Sequence, residues 1–194
     1  MPDIEASPSI EAFVRDVVSV PSKYTRDRQQ PTERLRRQIR AMDDAAAARA
    51  VVALFRAGGQ LAQAIARGEF NNTHAVRGVP SPLDSLANIA SFGAALLKRR
   101  LALSPVQWSD MLRDAAAMLS ASPFGLAKDL EFFARVLEQE WESVHAHEGV
   151  RASLKALSEV TSAAARQSRL MPFLGLVNHD LALRVARLLD PLTA

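Results

Sequence analysis

Three Ser-Pro pairs, Ser81-Pro82, Ser104-Pro105 and Ser122-Pro123, punctuate the middle of this chain, and each precedes apolar residues at helical spacing. A serine hydroxyl accepts from the free N–H groups of a helix's first turn, and the fixed φ of proline suits the first helical position. The pair therefore reads as a helix start. After the first pair, Leu83, Leu86, Ala90, Gly93 and Leu97 fall on one face. After the second, Trp108, Met111, Leu112, Ala115 and Leu119 do the same, and after the third Leu126, Leu130, Phe133, Leu137, Trp141 and Val144. Phe124, Phe132 and Val136 widen this last stripe to a second face, which predicts that 123–147 lies at the middle of the fold. If the core covers only one of those faces, the other becomes a partner groove or a dimer seam. Gly93 in mid-helix costs about 1 kcal/mol against alanine, a cost expected where another backbone approaches. Lys98, Arg99 and Arg100 follow at the end where the helix macrodipole favours cations.

The same reading extends along the chain. Ser7-Pro8 or Ser9 opens a first helix with Ile10, Phe13, Val14 and Val17 inward, ending before Pro21, and 22–31 reads as a polar linker. From Pro31, the spacing of Leu35, Ile39, Met42, Ala46, Ala50 and Ala53 predicts one continuous helix, broken at Gly58-Gly59 and followed by a short helix to Gly68. Residues 68–80 lack helical period and form the longest irregular connection. Gly149 is expected to end the third Ser-Pro helix. Val150, Leu154, Leu157, Thr161 and Ala164 mark the next, and Leu174, Val177, Leu181, Val185 and Leu188 the last, between Pro172 and Pro191. No segment reads as a strand. The fold class is all-α with seven or eight helices, arranged as an irregular helical bundle or a short stack of helical hairpins. The 41 residues from Ser81 to Ser122 cover two helices and resemble the hairpin period of HEAT-type repeats, but no repeat signature recurs at aligned positions, so the irregular bundle is at least equally expected. A single domain over 1–194 is expected; if it divides, 69–80 would connect N-terminal helices (1–68) to a helical core (81–194).

Composition narrows the functional classes. A hydrophobic share of 48% with 23% charged residues is that of a globular chain. The absence of cysteine excludes disulfides, thiolate metal sites and a cysteine nucleophile. A net charge of +3 is too small to be a nucleic-acid signature by itself. No apolar run approaches the ~20 residues of a membrane span. The start, Met-Pro-Asp-Ile-Glu, lacks the apolar run of a secretory signal, so the expected location is cytoplasmic.

Charge is concentrated between Lys23 and Arg40, where seven cations meet two acids, a local +5. Guanidinium forks match phosphate geometry, which makes Arg28, Arg34, Arg36, Arg37 and Arg40 candidate anion- or nucleic-acid-binding residues. Tyr24 is the only aromatic nearby, so base stacking is poorly supported. The alternative is a solvated face paired with the acids of 128–148, where six carboxylates outnumber Lys128 and Arg135. Glu142-x-x-His145 has the spacing used by di-iron bundles, but those need it twice with two further glutamates. No metal site and no cofactor is expected. In the irregular connection, Asn71, Asn72, His74 and Arg77 are candidates for a pocket, and Asn178-His179-Asp180 is the other polar cluster. Adjacent residues on a helix diverge by about 100°, so Asn178 or Asp180 reads more simply as a helix cap. No nucleophile elbow, phosphate-cradling glycine loop or HExxH is present. The reading favoured is a non-catalytic interaction or adaptor module with a protein partner, capable of homo-oligomerisation. A helical nucleic-acid-binding protein using 23–40 comes next, then an enzyme or small-ligand-binding domain with its site at 68–80.

Overall fold

The computed structural model describes residues 9–22, 26–70 and 79–190. Among these the chain forms eight α-helices: α1 Ile10–Val18, α2 Gln29–Ala41, α3 Asp44–Ala66, α4 Pro82–Leu97, α5 Pro105–Ala121, α6 Ala127–Val144, α7 Glu148–Ser168 and α8 Pro172–Leu189. A 3-10 turn, Arg26–Arg28, leads into α2, which therefore starts ahead of Pro31. No strand occurs among the described residues.

Two of the Ser-Pro pairs open helices through complete capping boxes. The Ser81 hydroxyl accepts from Asp84 N (3.1 Å) while the Asp84 carboxylate accepts from Ser81 N (3.2 Å). Ser104 and Gln107 repeat the exchange at the start of α5. Ser122-Pro123 does not open a helix. Ser122 N donates to Met118 O and closes α5, and α6 starts only after Leu126, without a side-chain cap. The third residue after Ser122 is Gly125, which offers no side chain to complete the box.

Two further boundaries depart from the periodicity. The apolar spacing across 35–53 carries through a break: α2 ends at Ala41, Met42 is extended, and the Asp43 side chain caps α3 by accepting from Ala46 N at 2.6 Å. Gly58-Gly59, by contrast, breaks nothing, and α3 runs on to Ala66. These glycines are packing positions. A Cβ at Gly58 would fall on the Met118 thioether, and one at Gly59 on the Asp114 carboxylate. Their low helix propensity, about 1 kcal/mol each, is offset by the close approach of α5. At Gly93 the neighbour is the Phe55 ring, 2.9 Å from where a Cβ would stand, rather than another backbone. Gly149 lies inside the first turn of α7; α6 has already ended at Val144.

The helices stack in two layers. Helices α3, α5 and α7 are neighbours in one, α4, α6 and α8 in the other, with α3/α4 and α7/α8 pairing across the layers. Helix α1 extends the stack by packing on α3 and α4. The second-layer helices begin at Pro82, Ala127 and Pro172, 45 residues apart in each case, a spacing consistent with stacked helical hairpins, although α5 and α6 touch each other little. Its centre is α5, flanked by α3 and α7, and not the 123–147 segment. Trp108 of α5 is 1% exposed, with its ring 5.5 Å from Phe133 of α6, which in turn lies 5.0 Å from Phe55 of α3. Polar ties fix the ends. Asn88 donates to Val20 O (2.9 Å) and Ser85 to Val18 O (2.8 Å), locking the end of α1 to α4. At the other end Asn178 donates to the Ser168 hydroxyl (2.9 Å), joining α8 to α7.

Candidate functional site

Between α2, α4 and α6 the second layer leaves an open groove of about 530 Å³. Helix α4 lines it with the small side chains of Ser91, Ala94 and Ala95. Phe92 and Phe132 supply the apolar part. Of the residues that widened the apolar stripe, only Phe132 lines the groove; Val136 is buried in the core with Phe133 and Leu137, and Phe124 is exposed ahead of α6. Cations come from all three helices: Arg28 and Arg36, Lys98, and Lys128 and Arg135. Asp129 and Glu131 are the carboxylates of the lining.

These charges are unevenly engaged. Glu131 accepts from Arg135 (2.9 Å) and from Arg184 of α8 (2.9 Å), and Arg184 also pairs with Glu138. Arg36 pairs with Glu33 at 2.7 Å. Lys98 lies over the Phe132 ring, 5.9 Å from its centroid. Arg28 donates to Pro21 O at 2.8 Å, and burial, with Arg36 nearby, lowers its pKa against the opposing pull of Asp84. Burial raises the pKa of Asp129, opposed by Lys128 and Lys98. The Thr32 hydroxyl, on the groove wall, is buried without a hydrogen-bond partner.

The candidate arginines are thereby split. Arg28 and Arg36 line the groove. Arg34 is turned to α1, where it pairs with Asp16 at 2.9 Å. Arg37 and Arg40 are exposed and lie outside the groove lining. Among the described residues no ion pair joins this segment to the acids of 128–148, although Asp129 and Glu131 share the groove lining with Arg28 and Arg36; Glu131 and Glu138 are taken by Arg135 and Arg184. Asn71, Asn72, His74 and Arg77 lie outside the described residues. Neither Asn178 nor Asp180 caps a helix; both sit within α8, Asn178 buried and Asp180 exposed beside exposed His179. His145 turns its Nδ1 to Trp141 O (3.0 Å) and its ring to the Trp141 ring (6.0 Å). Among the described residues no three His, Asp or Glu side chains come together as a metal site would require. Sequence reasoning missed Lys98, Lys128 and Arg135 because each sits in a run with another evident explanation, a helix end or an acidic stretch. Their one local signal is spacing: Arg28, Thr32 and Arg36 recur every four residues, and Lys128, Phe132 and Arg135 share a helical face.

A second surface lies at the end of the stack. Helix α8 buries Leu181, Val185 and Leu188 against α6 and α7, but its opposite side carries Phe173 (72% exposed), Leu176 (58%) and Leu183 (45%). Leu170 and Met171, in the turn before it, extend the patch. No helix of the described residues is long and apolar enough to cross a membrane. No known protein family, curated protein or solved structure matches this chain.

Proposed function

We propose that this protein is a non-catalytic interaction module, a short stack of helical hairpins whose terminal helix α8 docks another protein. The observation that supports this reading is the apolar outer side of α8. In hairpin stacks each unit buries its face against the next, and a true end needs a polar outer surface. Here the end carries Phe173, Leu176 and Leu183 at helical spacing, with Leu170 and Met171 alongside. Burying each of these side chains in a contact would contribute about 1.5–3 kcal/mol, and contiguous exposure of this kind marks interaction surfaces.

The test is a photo-crosslinking residue placed at Leu176, with a control at Glu159 of α7. Adducts of discrete mass are expected at 176 and not at 159, and Phe173→Asp should abolish them while leaving the melting temperature unchanged. Twice the chain mass would identify a second copy as the occupant, and another mass a different protein. No adduct, or adducts indifferent to Phe173→Asp, would overturn the proposal.

A further inference from the structure

We propose that the groove between α2, α4 and α6 receives an acidic segment of a partner protein that carries a large apolar anchor residue. This site is separate from the outer side of α8, and its reading does not depend on that one.

Charge is the first argument. Glu131 is already neutralised by Arg135 and Arg184, and Arg36 by Glu33. Arg28, Lys98 and Lys128 remain, and none of them forms an ion pair with a described residue. Across the whole lining five cations (Arg28, Arg36, Lys98, Lys128 and Arg135) face two carboxylates (Asp129 and Glu131), so the groove carries a net positive charge. Such a field steers and orients a complementary anionic partner.

The second argument is the apolar floor. Phe132 is half-buried and offers the exposed apolar surface, Phe92 is buried at 5% exposure beneath the groove, and the small side chains of α4 beside them leave room for a large residue. Lys98 over the Phe132 ring places a cation directly beside this apolar surface. A ligand that fits both carries carboxylates next to a Leu, Ile or Phe.

The third argument separates a peptide from a nucleic acid. Asp129 and Glu131 lie in the lining, and a phosphate backbone offers them repulsion and no donor. A peptide brings backbone N–H groups that these carboxylates can accept.

The test is fluorescence polarisation with three labelled probes: the peptide Glu-Glu-Leu-Phe-Glu-Glu, the same peptide with Ala-Ala in place of Leu-Phe, and a single-stranded DNA 12-mer. The first peptide is expected to bind saturably and the Ala-Ala peptide about tenfold more weakly or worse, the loss of a buried apolar anchor being worth ~1.5–3 kcal/mol. Lys98→Glu with Lys128→Glu, both exposed positions, should weaken the first peptide on the order of tenfold or more. Phe173→Asp should leave it unchanged. DNA bound as tightly as the peptide would overturn the proposal in favour of a general polyanion site. Failure of any peptide to bind, or binding indifferent to the two lysine reversals in a folded variant, would overturn it outright.

Discussion

The Asp114 carboxyl group of α5 lies directly over Gly59 of α3: a Cβ built on that glycine would stand 2.8 Å from Asp114 Cγ and 3.0 Å from Asp114 Cβ. Glycine is what lets the two helices approach here. Gly59→Ala is therefore expected to destabilise the fold by ~1–3 kcal/mol through overpacking, although alanine is the better helix former by about 1 kcal/mol. Adding Asp114→Ala should restore most of the loss. Urea denaturation of the single and double variants measures both effects, and a Gly59→Ala variant as stable as the parent would mean the interface is slack.

The same contact makes stability depend on pH. Asp114 is 9% exposed, and burial pushes its pKa from 3.8 up to about 6, opposed by Arg113 and Arg56 and reinforced by Asp110. The folded state then binds this proton more tightly than the unfolded chain, so the group's contribution is full below about pH 4 and is lost as pH rises to about 6. Allowing for solvent screening at a partly wetted carboxylate, the loss is on the order of 1–2 kcal/mol. Asp114→Asn should remove this slope and raise the melting temperature at pH 7.5, by ~2–4 °C per kcal/mol recovered. Identical pH profiles for parent and variant would show that Asp114 is not the group responsible.

Arg99 holds the break between α2 and α3. Its guanidinium donates to Ile39 O (2.9 Å) and Met42 O (2.6 Å), carbonyls at the end of α2, and pairs with Asp44 in the first turn of α3 (2.7 Å). Arg99→Ala should cost ~1–3 kcal/mol by leaving these carbonyls without a donor. It should also speed amide exchange over the last turn of α2. Arg99→Lys is expected to recover little, since one ammonium cannot span the three acceptors as the planar fork does. Unchanged exchange in Arg99→Ala would mean the Asp43 cap alone sets the break.

The helices were legible wherever a local mechanism suffices. Ser81 with Asp84 and Ser104 with Gln107 announce helix starts because both partners of the capping box lie within four residues. Ser122 instead ends α5, its N–H donating to Met118 O. The core stripe of α6 was legible, but the residues that widened it divide, Val136 joining the core and Phe132 the groove. Of the candidate groove, Arg28 and Arg36 could be found as members of a basic run; Lys98, Lys128 and Arg135 could not, since nothing local brings α4 and α6 to α2.

What the sequence by itself determined is the all-helical class, most of the helix faces, and the capacity for a hairpin stack, because these follow from periodicity, capping chemistry and propensity along a single segment. The tertiary structure decided what Gly58-Gly59 and Arg99 do, which helix is central, and which charges converge. The glycines fill a contact instead of breaking a helix because Met118 and Asp114 arrive from 55 and more positions away. Arg99 caps a helix 57 residues upstream for the same reason. Local chemistry fixes what each segment can become, but only long-range packing chooses the neighbour that satisfies a carbonyl, fills a missing side chain, or leaves a cation without a partner.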